Sequence, residues 1–178
     1  MSDPGEIYLL ECLKSFKGIK STSEKAIIQI KDEELHWSSD PESNSVAIIL
    51  RHISGNLRSR FTDFLTTDGE KPDRNRDAEF VDSGISREVL LSEWETSWKI
   101  LFDTLGQLTS ASLTQTVYIR NEPHTVIRAL QRQLVHYAYH SGQIVYLCKQ
   151  IRAGNFKSLT IPRGASGDFL HSPPTSAT

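Results

Sequence analysis

At 178 residues, with 38% hydrophobic and 24% charged side chains, the chain has the apolar content of one globular domain with a proper core. Lys and Arg number 20 against 22 Asp and Glu, so no basic excess exists to neutralise phosphates, and nucleic acid is not expected as a partner. No apolar run approaches the roughly 20 residues of a membrane span, no charged and apolar leader opens the chain, and two cysteines form no CxxC, so a cytoplasmic protein away from membranes is expected.

A first helix is expected from about Glu6 to Lys31, where Leu9, Leu13, Phe16, Ser23, Ile27 and Ile30 recur mostly at three- and four-residue steps. Cys12, and Cys148 far downstream, read as small buried hydrophobes. Asp32 to Ser45 is polar, holds Pro41 and reads as a loop anchored by Trp37. A second helix starts near Ser43 or Asn44, both good N-caps, and runs to about Thr66. Its stripe is Val46, Ile49, Ile53, Leu57 and Phe64, and Gly69 is its C-terminal signal. Lys71 to Ile85 is a long charged connection with Pro72 and Gly84, long enough to cross between distant helix ends.

The third helix is expected from about Ser86, its N-cap, to Leu108, with Leu90, Trp94, Ser97, Leu101, Thr104 or Leu105, and Leu108 as its stripe. Thr114 to Arg120 alternates and is β-branched, so a short strand is expected, with Ser158 to Ile161 as its partner. Asn121-Glu122-Pro123 opens the fourth helix, which ends around Arg152 to Gly154. The chain therefore reads as all-α. It is expected to form a four-helix bundle over residues 1–165, with a long crossover between helices two and three and a small two-stranded β element. A disordered tail is expected over residues 166–178.

His136 and His140 are the most informative residues. Four residues apart on a helix, their imidazoles leave one face and can grip one transition metal. HxxxH alone is a weak motif, and two histidines hydrogen-bonded at a helix flank are the plain alternative. Both lie beside the stripe of Ile127, Leu130, Leu134, Tyr137, Ser141, Ile144 and Cys148 rather than on it. His52 lies off the stripe of helix two in the same way and is the candidate third ligand. Asn56, one turn after His52, is placed to orient a ligand or a histidine. Arg74 and Asp77 on the crossover can reach over a pocket mouth, or simply form a loop salt-bridge network, and Gln133 and Gln143 flank the histidines.

The remaining histidines carry less. Glu33-x-x-His36 is half a di-iron motif with no second half, so that reading is discarded. His124 and His171 are expected to be exposed, in the first turn of helix four and in the tail. Val135, Tyr139 and Tyr146 make helix four apolar almost all round, which requires cover by strands and loops or by a second copy of the chain. There is no GxSxG, Walker loop, GxGxxG or HExxH.

The three histidines in their contexts resemble the DinB/YfiT superfamily of metalloenzymes, and within it a bacterial branch of uncharacterised proteins. The segments carrying the resemblance are Leu50-Arg-His-Ile-Ser-Gly-Asn56, Arg58 to Glu70, Arg74-Asn-Arg-Asp-Ala-Glu-Phe80, Pro123 to Val126, and Gln133 to Leu147. Together they span roughly residues 6 to 165. The resemblance implies a four-helix bundle with a long crossover, and a divalent metal, nickel or zinc, on His52, His136 and His140. It also implies a homodimer. Some relatives are thiol S-transferases that use a low-molecular-weight thiol such as bacillithiol or mycothiol. The superfamily's name implies no DNA binding.

The expected function is that of a metal-dependent enzyme on small molecules, a thiol S-transferase or hydrolase in which a metal-activated thiol or water attacks a small electrophile. The alternatives are a non-catalytic metal- or ligand-binding stress protein and a degenerate bundle kept for dimeric interaction.

Overall fold

The computed structural model describes residues 3–170, which are mostly helical, with six helices and one small antiparallel sheet. The long helices are α1 (Pro4–Ile27), α2 (Val46–Phe61), α4 (Arg87–Gln107) and α5 (Val126–Arg152). Short α3 (Arg76–Glu79) interrupts the connection between α2 and α4, and α6 (Ser166–Leu170) follows α5. Strands β1 (Thr116–Ile119) and β2 (Glu122–Thr125) form a hairpin just before α5. No described helix is long and apolar enough to cross a membrane.

Five helices begin on a side chain that accepts a backbone N–H. Asp3 caps α1, Ser45 caps α2, Asn75 caps α3, Ser86 caps α4 and Thr125 caps α5. Each cap satisfies one of the orphan donors of a first turn and fixes where the helix starts. α4 packs along α2 and α5 along α1, while α5 also meets α2 and α4 meets α1. The expected stripes face this core, apart from Ile127, which is 38% exposed. Val46, Ile49, Ile53, Leu57 and Phe64 are buried, as are Leu90, Trp94, Ser97, Leu101, Leu105 and Leu108. Phe16, Trp98 and Tyr137 meet at its centre with ring centroids 5.6 to 6.4 Å apart in tilted and edge-on contacts, the geometry that aromatic quadrupoles favour. Cys12 and Cys148 are buried and free.

Several boundaries differ from expectation. α2 ends at Phe61 rather than Thr66, because Asp63 adopts a left-handed φ of 49° and its carbonyl gathers the amides of Thr66 and Thr67. Gly69 is no helix cap. Its N–H donates to the carbonyl of Tyr118 at 2.8 Å, and its own carbonyl accepts from Ser59 Oγ and Arg60 Nη1, so it docks the hairpin onto α2. Leu35, fully buried on a one-turn 3-10 helix, anchors the first loop, while Trp37 is 42% exposed.

The partner of β1 is β2, not Ser158 to Ile161, and the fourth helix starts at Val126 rather than at Asn121. Ile119 pairs with Glu122 across a two-residue turn, with φ of 56° at Arg120 and 62° at Asn121. That is the primed geometry of tight hairpins, built here without the usual glycine. His124 therefore lies buried in β2, its Nδ1–H donating to the Glu122 carbonyl. Of the expected tail, Ser166–Leu170 is helical, and the remainder, with His171, lies outside the described residues.

Asp68 compensates the unfavourable turn. Its carboxylate accepts the backbone N–H groups of Arg120, Asn121 and Glu70 at 2.9, 2.7 and 2.7 Å. Partial burial pushes its pKa up, but these three amides outweigh that and hold it below its ordinary 3.8. Asp68→Ala should lower unfolding stability by about 2 kcal/mol, read by urea denaturation. The sign with pH follows from a folded pKa below the unfolded one. The contribution is present above pH 3.8 and is lost as pH falls through the folded value, so wild type and variant should converge in acid.

Candidate metal centre

His52 on α2 and His136 and His140 on α5 come together where the two helices meet. One ring nitrogen from each lies within 4.8 Å of the others. His136 Nε2 is 3.2 Å from His52 Nε2 and 3.2 Å from His140 Nε2. The rings meet almost edge to face, His136 at 88° to His52 and 85° to His140.

The far nitrogens show how the cluster is held. His52 Nδ1 lies 2.9 Å from Glu79 Oε2. Burial raises the Glu79 pKa, but hydrogen bonds from His52 and Arg74 and the Arg74 charge outweigh it, so this carboxylate stays ionised and can only accept. His52 therefore donates from Nδ1, and in the neutral ring this tautomer turns the Nε2 lone pair toward its neighbours. His140 Nδ1 donates to Gln143 Oε1 at 2.7 Å, with the same consequence. His136 is pulled down to about 3 by burial and by the neighbouring His140, His52, Arg60 and Arg74, and His140 is lowered by burial. Both rings are neutral at pH 7, as metal ligation requires.

A single proton on His136 Nε2 can serve one neighbour, leaving the other contact as two opposed lone pairs. Two nitrogens bound at 2.0–2.1 Å to one ion with tetrahedral angles would lie about 3.3 Å apart, close to both contacts seen here. The donor set and the two separations that involve His136 are thus compatible with a divalent ion, and the carboxylate and amide behind His52 and His140 are the orienting partners such ligands usually have.

Glu79 was missed by sequence reasoning, which chose Asp77. The α3 turn carries both acids, but Asp77 is exposed, while Glu79 is buried against α2. Arg74 holds Glu79 through Nε and Nη2 at 2.8 and 2.9 Å, a bidentate clamp, so Arg74 reaches the site by way of this carboxylate. The signal was Gly55. A Cβ there would sit 2.1 Å from Glu79 Oε1, so only glycine lets the carboxylate lie against the helix one turn from His52. Asn56 lies on the pocket side of α2, where its Oδ1 accepts the buried Tyr137 hydroxyl at 2.9 Å. It fixes the α2–α5 contact and makes no hydrogen bond to a histidine of the cluster. His36, by contrast, is occupied by Asp82 and the Ile85 carbonyl.

A cavity of about 440 Å³ opens beside the cluster, with His52, Asn56, Gln133 and His136 on its inner side. A larger one of about 650 Å³ lies on the other side of Glu79, toward α4, and touches none of the three histidines. The ring nitrogens make the smaller cavity the candidate site. A search of curated proteins finds no match to the chain. Residues 3–165 match the model of a family described as a protein of unknown function, DUF1572, and the chain belongs to that family.

Proposed function

We propose that this protein is a metal-dependent enzyme acting on small molecules, with nickel or zinc held by His52, His136 and His140. The observation that carries the reading is the convergence of three ring nitrogens whose partners behind them, Glu79 and Gln143, turn lone pairs inward. On this reading the four long helices form one bundle, crossed by the segment that brings Glu79 to His52, and the chain is a DinB/YfiT-like protein. When bound, the ion supplies Lewis-acid activation of a thiol or a water. The chain's own residues bind and orient. Glu79 fixes the His52 tautomer, Gln143 fixes that of His140, and Asn56 holds Tyr137 so that α2 and α5 keep their spacing.

The reaction class is thiol S-transfer or hydrolysis. Untagged protein should carry, or take up, about one divalent ion per chain by elemental analysis. Metal-loaded protein should then consume a model electrophile faster when a low-molecular-weight thiol is added. Metal uptake with no thiol- or water-dependent turnover would leave a binding protein instead.

We also propose a homodimer built on α5. Val135, Tyr139 and Tyr146 are 69, 65 and 62% exposed, so among the described residues strands and loops do not cover them. Val135 and Tyr146 lie eleven residues apart, close to three full turns, and share one file on the helix. Exposed apolar strips of this kind mark association surfaces. Sedimentation should give a dimer for wild type and a monomer for a Val135→Glu, Tyr146→Glu double variant, with metal content unchanged. A monomeric wild type at micromolar concentration removes this proposal.

A further inference from the structure

Five of the eleven arginines in the chain, and none of its nine lysines, line the cavity beside the histidine cluster. They are Arg60, Arg74, Arg76, Arg120 and Arg132. Glu70 and Glu79 are the only carboxylates ion-paired with them among the described residues, Glu70 with Arg60, Arg74 and Arg120, and Glu79 with Arg74. Arg76 and Arg132 have no ion pair among the described residues, and Arg132 projects from α5 one turn before His136. In a chain of net charge −2 this is a local concentration of positive charge, not a reflection of composition.

Unsatisfied polar atoms point the same way. Arg60 Nε, Gln133 Oε1 and His136 Nδ1 are buried without a hydrogen-bond partner, and all three residues line this one cavity. Gln133 is only 3% exposed. Buried polar groups left without partners cost free energy; an oxyanion can accept from the Arg60 Nε–H, whereas Gln133 Oε1 is itself an acceptor and calls for a donor, such as a hydroxyl, on the same ligand. Exclusive use of arginine narrows the chemistry, because a planar fork matches the paired oxygens of a carboxylate or phosphate better than an ammonium does. A cavity of about 440 Å³ also sits in the range of small-molecule sites.

We propose that this cavity is an oxyanion-binding site. The small-molecule substrate carries a carboxylate or phosphate group that docks on Arg132 and Arg76, and a hydroxyl that donates to Gln133 Oε1, while its reactive end lies at the histidine cluster. The proposal deepens the enzyme reading and uses the metal site only to place the reactive end. Anion binding itself needs no metal, so the two can fail separately.

The test is calorimetric titration of the full chain with inorganic phosphate and, separately, with succinate, both as purified and after dialysis against chelator. Saturable one-to-one binding in both preparations is expected, about tenfold weaker in Arg132→Ala and weaker again in the Arg76→Ala, Arg132→Ala double variant. Arg132→Lys should recover only part of the loss, since it keeps the charge without the fork. Arg128→Ala, an exposed arginine on the same helix but outside the cavity, should bind like wild type. Preference for phosphate or for succinate identifies which oxyanion the substrate carries. The proposal is overturned if neither probe saturates at millimolar concentration, if binding disappears with the metal, or if Arg132→Ala and Arg128→Ala behave alike.

Discussion

His136→Ala should weaken zinc binding by roughly a hundred- to a thousandfold, on the basis that about 10–16 kcal/mol is shared among four ligands in well-formed zinc sites. His136 is the central member of the cluster. Its Nε2 is the one atom within 3.2 Å of both other Nε2 atoms, so its loss leaves His52 and His140 without their common neighbour. The fold should survive, because His136 is only partly buried and sits at the flank of the α5 core stripe. Competition with a chromophoric chelator gives the affinity, and circular dichroism confirms that the helices persist. A folded His136→Ala protein that binds zinc as tightly as wild type would falsify the metal site. In that event the plain alternative of histidines packed at a helix flank stands.

The second large effect is expected at Glu79. Glu79→Ala removes the acceptor behind His52 and one carboxylate from Arg74, whose side chain is only 5% exposed. An uncompensated buried guanidinium costs about 3–5 kcal/mol, and Glu70, 3.5 Å from Arg74, offsets part of that, so a loss near 3 kcal/mol is expected. Metal affinity should fall about 10- to 100-fold, the usual consequence of losing the group that orients a ligand. Glu79→Gln keeps an acceptor for the His52 N–H and should retain more of the affinity than of the stability. Gly55→Ala separates the two effects further. Its methyl gains up to about 1 kcal/mol of helix propensity but displaces Glu79 from its place against α2. Affinity should fall while the helix itself is favoured. Unchanged metal affinity in both Glu79→Ala and Gly55→Ala would remove Glu79 from the site.

The helices and the histidines were legible because both depend on short-range periodicity. Leu90, Trp94, Ser97 and Leu101 announce a buried face by spacing alone, and so do Val46, Ile49 and Ile53. His52, His136 and His140 were found because each lies just off such a face. The hairpin was not legible, since its tight turn uses Arg120 and Asn121 in place of a glycine pair and relies on Asp68, 52 and 53 residues away in the chain. The α3 turn was hidden for a different reason. Its four residues are too few for any periodicity, so nothing in the local pattern distinguished the exposed Asp77 from the buried Glu79. A glycine inside α2, on the turn that follows His52, recorded the approach of Glu79, but only tertiary structure says what approaches.

The brevity of α3 also bears on how quickly a bound ion leaves. A single helical turn cannot sustain itself, and this one is held chiefly by the contacts of Asn75, Glu79 and Arg74. Sub-global opening of the 71–85 segment while α2 and α5 stay packed is therefore expected. Each opening withdraws Glu79 and frees His52 to rotate away from its partners. The residence time of an ion held by the three histidines should then follow the opening frequency of this segment rather than separation of the helices. Amide exchange of α3 and the metal off-rate should rise together in any variant that loosens the crossover.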